Sequence, residues 1–210
     1  MIDTQELKAI VHRLGEQKSV ITEAELLELG ADSHSIQELV TSGTLYPSAK
    51  GIFMPDNADF GEHHTRVETL VRFPNTILCL LSALSFHRLT TQMPRKVWIA
   101  YNLHSTKPVD SQLPVEAITM STIDFNRGIE IHEIEGIKVK IFGQAKTIAD
   151  CFHYQHLVGI DVAVEALEQA LKEERCQVSE ILNFINFSRL ASYTQKDLRE
   201  SLEQIGVVVS

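Results

Sequence analysis

Residues 20–54, VITEAELLELGADSHSIQELVTSGTLYPSAKGIFM, alternate helix starts and glycine stops so closely that only short elements fit between them. Thr22 followed three residues later by Glu25 makes a capping box, in which the hydroxyl takes an orphan amide and the carboxylate reaches back to the cap. A helix is therefore expected from about Thr22, with Leu26, Leu27 and Leu29 burying one side and Gly30 supplying the left-handed stop. Asp32 or Ser33 caps a second helix, whose inner stripe is Ile36, Leu39 and Val40 and which Gly43 ends. Residues 44–46 and 52–54 are short apolar strands joined by the turn-forming run Pro47, Ser48, Ala49, Lys50 and Gly51. Upstream, Leu7, Ile10, Val11 and Leu14 at i, i+3, i+4 and i+7 give an amphipathic helix that closes a three-helix core. This order is the grammar of a winged helix-turn-helix.

In such a fold the second helix of the pair enters the major groove, where polar side chains on its outer face meet base edges. Ser33, His34, Ser35, Gln37 and Thr41 are the candidate contacts, with Glu38 and Ser42 on the same outward side. Gln37 has the amide geometry for adenine, Lys50 at the wing tip suits a phosphate, and the helix N-terminus offers further amides. Charge opposes this reading. Residues 1–57 hold four Lys and Arg against nine Asp and Glu, a balance of −5, whereas a DNA-binding face is ordinarily basic. A dimer or cooperative pair would recover affinity, as would convergence of Arg88, Arg95, Lys96 and Lys107. The same surface also fits a protein-protein interaction module.

The whole chain has 210 residues, 44% of them hydrophobic, and a formal charge of −9, enough for two modest cores. Two domains are expected: residues 1–57 as the winged helix-turn-helix and residues 58–210 as a C-terminal α+β domain with a small sheet and several helices. The boundary falls in the polar run PDNADFG. Beyond it, residues 62–73 read as a helix, 76–87 as a buried apolar stretch, 96–102 as a good strand, 115–120 as a weaker strand, and 129–142 as a hairpin turning at Glu135 and Gly136. Helices follow over 145–157, 161–172, 179–187 and 194–205. No run is apolar and long enough to span a bilayer and no basic leader precedes an apolar stretch, so a cytoplasmic protein is expected. Cys79, Cys151 and Cys176 are too few and too scattered for a disulfide framework.

Several blocks carry a family resemblance. The winged helix is followed by LLSALSFHRLTTQMP (80–94) and the strand VWIAY, then by GQAKTIADCF (143–152) and VAVEALEQAL (162–171). In order and spacing over nearly the whole chain, these blocks resemble the AbiEi antitoxin family of transcriptional regulators. The resemblance implies a bacterial repressor from a type IV toxin-antitoxin, or abortive-infection, system. Its expected partners are double-stranded DNA, at promoter inverted repeats, and a nucleotidyltransferase-like toxin that is counteracted without a stable complex. The chain departs from that pattern in lacking Arg or Lys on the recognition helix.

Rival chemistry reads as structural. Lys146 and Asp150, at i and i+4 near a helix start, are expected as a weak surface ion pair; a catalytic dyad would need a nucleotide loop, and neither GxxxxGKS nor GxGxxG occurs. Ser82, Ala83, Leu84 and Ser85 read as small residues permitting close packing. Cys151, His153 and His156 fall near one another on a predicted helix, but two residues of helix rotate a side chain by about 200°, so Cys151 does not share the histidines' face. No catalytic residue, metal or cofactor is expected. A DNA-binding repressor is the leading reading, beside a protein-protein module and an enzyme housed in the C-terminal domain.

Overall fold

The computed structural model describes residues 3–185 and 191–207. It is a mixed α+β chain with two sheets, and it divides into two compact units: residues up to Pro74 together with 131–139, and 75–130 together with the described remainder from Lys140 onward.

The first unit opens with α1 (Thr4–Gly15), whose Leu7 and Val11 are fully buried as the i, i+4 spacing requires. A two-residue strand β1 (Ile21–Thr22) leads into α2 (Glu23–Glu28), and α3 (Ser33–Thr41) follows. β2 (Leu45–Ala49) and β3 (Ile52–Pro55) complete a three-stranded antiparallel sheet in the order β1-β3-β2. The strands run further than the sequence suggests. Pro47, Ser48 and Ala49 belong to β2, which is an edge strand and so tolerates a proline without a backbone donor, and the register shift between Pro47 and Ala49 marks a bulge. The connection shrinks to Lys50 and Gly51, the latter at φ +70°.

α4 (His64–Arg72) also belongs to the first unit, so the boundary falls after Pro74 and not at residue 57. The reason is a polar clamp. Arg72 donates to the Ser48 carbonyl at 2.9 Å, to Ser48 Oγ at 2.8 Å and to Glu68 Oε1 at 2.6 Å, while Ser48 Oγ donates to Glu68. Contacts 20 and 24 residues apart leave no local trace in the sequence.

In the second unit β4 (Ile77–Leu78) runs into α5 (Leu80–Phe86), then β5 (Val97–Asn102), β6 (Val115–Met120) and the short α6 (Thr122–Phe125); β7 (Ile129–Ile134) starts and β8 (Ile137–Phe142) ends in this unit, while residues 131–139 between them belong to the first. The sheet order is β6-β5-β4-β8-β7, with β5 parallel to β6 and β4 parallel to β8. The weak strand 115–120 is fully formed because β5 pairs with all six of its residues. Ser82 is more than a small packing residue, since its buried hydroxyl accepts the Trp98 amide at 2.9 Å. α7 (Gln144–His153) packs against α5, against α9 (Ile160–Lys172) and against α10 (Val178–Ile185), and it also contacts α11 (Ala191–Gln204). The single helix expected over 145–157 breaks at Tyr154, whose ψ of 28° leaves the helical region, and resumes as α8 (Gln155–Val158). The last two residues of the helix expected over 179–187 lie outside the described residues.

The β7–β8 turn was legible and is chemically unusual. Glu135 at φ +49° and Gly136 at φ +70° give the doubly left-handed turn that suits a two-residue hairpin, yet glutamate is a poor residue for the first position. Residues of its own unit, the first, hold it there: Glu135 Oε1 accepts the Gly61 amide at 3.0 Å, Oε2 lies 3.2 Å from His64 Nδ1, and its carbonyl accepts Ser19 N at 3.3 Å. Gly136 lies so near Gln17 that a Cβ would fall 2.1 Å from the Gln17 carbonyl oxygen.

Candidate nucleic-acid interface

The two helices that would form this interface are set by their caps. Thr22 Oγ1 accepts the Glu25 amide at 3.3 Å and Glu25 Oε2 accepts the Thr22 amide at 2.8 Å, which is the capping box the sequence announces. Lys18 Nζ adds a 2.6 Å contact to Glu25 Oε1. Burial would raise the Glu25 carboxyl, but Lys18 and the Thr22 groups outweigh it and hold the acid below its ordinary value. α2 ends at Gly30, φ +90°, and the Ala31 amide returns to the Leu26 carbonyl at 3.0 Å. Only Leu26 reaches the core. Leu27 and Leu29 stay exposed, contrary to the expected shared face, because a six-residue helix offers only one narrow side to the core.

Asp32 is the cap of α3. Its Oδ1 accepts the Ser35 amide at 2.8 Å and the Ser35 hydroxyl at 2.8 Å, while Ser35 Oγ accepts the Asp32 amide at 2.9 Å. The Ser35 amide and hydroxyl hold the Asp32 carboxyl below its ordinary value. This geometry corrects the sequence reading twice. Ser35 is buried with its hydroxyl committed to the cap, so it does not face outward as a base contact. The helix N-terminus already carries a carboxylate of its own, so a phosphate arriving there would meet a negative charge.

The remaining candidates stand where the helical period puts them. Ile36 and Leu39 are buried, whereas Ser33, His34, Gln37, Glu38 and Thr41 are exposed. At about 100° per residue these five positions cover one continuous face about 140° wide. Thr41 Oγ1 donates back to the Gln37 carbonyl at 2.8 Å, while the Gln37 amide group has no hydrogen-bond partner among the described residues. Glu38 is anchored: Thr4 Oγ1 of α1 donates to its Oε2 at 2.8 Å and His34 Nε2 lies 3.4 Å from its Oε1. Sequence reasoning placed Glu38 on the face but missed the Thr4 contact, which spans 34 residues.

Lys50 is exposed at the tip of the β2–β3 connection. Gly51 behind it accepts the Glu23 amide at 2.8 Å, which fixes the connection against the start of α2. Exposed cations among described residues 3–74 are Lys8, Arg13 and Lys50.

The second unit holds a cluster that the sequence misplaced. Lys146 and Asp150 pair as the i, i+4 spacing requires, but they are buried and not on the surface, with side chains 4% and 10% exposed. Every residue of α7 from Lys146 to Phe152 is buried, and the nearly unbroken run of small and apolar residues around the pair was the available signal. Burial raises the Asp150 carboxyl more than Lys146 lowers it. Its Oδ2 finds no hydrogen-bond partner among the described residues, and Asp150 lines a chamber of about 20 Å³ together with Asp124, His153, Tyr154 and Thr194, room for about one water molecule. Cys151 is buried in the same core, its thiol pushed well up by burial, and His153 stands edge-on to Tyr154 at 4.7 Å. No helix among the described residues is long and apolar enough to cross a membrane.

No family model and no curated protein matches the chain. Among solved structures the chain is similar to the RV2827C protein from Mycobacterium tuberculosis, with a TM-score of 0.67 at 14% sequence identity, covering 99% of this chain and 79% of that one. At that identity the likeness speaks to the fold alone.

Proposed function

We propose that this chain is a DNA-binding transcriptional regulator of the AbiEi antitoxin type, with its first unit acting as a winged helix-turn-helix. The observation that carries the reading is the exposed polar face of α3, with His34, Gln37 and Thr41 presented beside a strand pair tipped by Lys50. That is the arrangement in which a helix reads the major groove while a wing meets the backbone. Ser33, His34, Gln37, Thr41 and Lys50 are the proposed contacts; Ser35 serves as a cap instead. The partner is duplex DNA at promoter inverted repeats, bound as a dimer or cooperative pair because one copy offers few cations. The blocks in the second unit that resemble the family tie the regulator to a nucleotidyltransferase-like toxin, counteracted without a stable complex.

The test is a binding titration on duplex DNA from upstream of its own gene, repeated over a salt series. With Lys8, Arg13 and Lys50 as the exposed cations of residues 3–74, log affinity should fall with log salt at a slope of about −3 or shallower per copy. Gln37→Ala with Lys50→Ala should weaken binding by roughly 1–3 kcal/mol for the base contact and flatten the slope by about one. The −5 balance of residues 1–57 favours one rival, a winged-helix protein-protein module. No saturable binding to duplex at low salt would overturn the DNA reading in favour of that rival.

A further inference from the structure

We infer that Glu38 is a base-reading residue that selects cytosine, working beside the adenine-reading amide of Gln37, so that the operator presents exocyclic amino groups to α3. The inference rests on the DNA-binding reading above and names what that surface would recognise. Three observations carry it. Glu38 lies on the exposed face of α3 with Ser33, His34, Gln37 and Thr41. Its carboxylate already has contacts within the protein, Thr4 Oγ1 donating at 2.8 Å to one oxygen and His34 Nε2 lying 3.4 Å from the other. And α3, SHSIQELVT, carries neither Lys nor Arg, so the bidentate cation contact that usually reads guanine has no donor on this helix.

Selection then comes down to donors and acceptors. Each carboxylate oxygen accepts more than one hydrogen bond, so anchoring by Thr4 leaves acceptor capacity directed outward. The major-groove donors are cytosine N4 and adenine N6. Adenine N6 stands beside the acceptor N7, which the Gln37 amide can satisfy and a carboxylate cannot, so cytosine N4 is the donor that suits Glu38, while guanine O6 and thymine O4 are acceptors that would leave it desolvated without a partner. Glu38 therefore discriminates largely by rejection, and its charge also repels the backbone of any duplex that fails to offer the amine. Gln37 is adjacent in sequence and about 100° away around the helix, so the two side chains address neighbouring base pairs. Thr4 is a positioning residue for Glu38.

The experiment is enrichment of random-sequence duplexes by the full chain, with wild type, Glu38→Gln and Thr4→Val run in parallel and helix content checked by circular dichroism. The wild-type pool should fix cytosine at one position next to an adenine, with cytosine preferred by between about five-fold and a hundred-fold. Glu38→Gln should abolish that cytosine preference and leave the other positions unchanged, while binding a non-cognate duplex more tightly than wild type because a repelling charge is gone. Thr4→Val should weaken the cytosine preference without altering α3. An enriched wild-type pool whose base preferences are the same in Glu38→Gln overturns this inference and leaves DNA binding standing. A pool that never enriches above input overturns the DNA reading itself, and this inference with it.

Discussion

Two lysine-carboxylate pairs, one in each unit, have the same chemistry and opposite surroundings. Lys18 and Glu25 meet at 2.6 Å with side chains 29% and 35% exposed, and the glutamate is shared with the Thr22 cap. Lys146 and Asp150 pair within a helix turn whose every neighbour is buried. The first pair keeps its water and contributes mainly by orienting a helix start. In the second, two charges have left water, and each is tolerable only because the other is there. The ammonium also lies 4.8 Å from the Phe142 ring centroid, which spreads its charge over a π face.

The strongest test of that contrast removes one charge from the buried pair. Lys146→Met should cost about 3–5 kcal/mol, since it strands a buried carboxylate, whereas Lys146→Met with Asp150→Leu should recover most of the loss. Urea unfolding followed by the fluorescence of Trp98, the chain's one tryptophan, reads this in the second unit. A single substitution as mild as the double would erase the distinction between the pairs. Next in size is the cap that Glu25 shares: Thr22→Ala should cost about 1 kcal/mol, seen as faster amide exchange in α2. Smaller again, Lys18→Met should cost about 0.2–1 kcal/mol, shrinking as salt is added; a cost equal to that of Lys146→Met would mean that burial is not what separates the pairs.

The pH response sharpens the comparison most finely, because the two acids move in opposite directions. Glu25 is held below its ordinary value, so its contribution is present above the unfolded carboxylate pKa and is lost as pH falls through the folded one. Asp150 is raised, so its contribution is fully present below the unfolded value and is lost as pH rises through the folded one. Falling pH should therefore strengthen the second unit at Asp150 as it drops through that group's raised folded value, and weaken the first at Glu25 only once it passes below the unfolded carboxylate value. Amide exchange measured by unit across a pH series checks the order, and parallel losses in both units would contradict it.

How much of this was written in the sequence depends on the range of the interaction. The Thr22–Glu25 box, the Asp32 cap, the stops at Gly30 and Gly43 and the Glu135–Gly136 turn are settled within a few residues, and all stand where the pattern puts them. Ser35 was misread because two local roles competed for one hydroxyl and the cap won. Burial was harder to read than pairing. Leu27 and Leu29 look apolar enough for a core but stay exposed, and the Lys146–Asp150 spacing announces a partner without announcing depth. The α4 clamp and the Thr4–Glu38 anchor join residues 20 or more apart, and nothing at either end marks the other.

The clamp on Ser48 has a mechanical consequence. Because the bulged edge strand is bolted through Arg72 and Glu68 to α4, with side chains 7% and 11% exposed, the projection ending in Lys50 is a stiff prong and not a loose flap. A stiff prong loses little entropy on docking, yet it cannot bend to suit a groove of the wrong width. Under the proposed DNA-binding reading, the geometry of the duplex would have to come to the protein, and groove width, as much as charge, would gate where Lys50 could land.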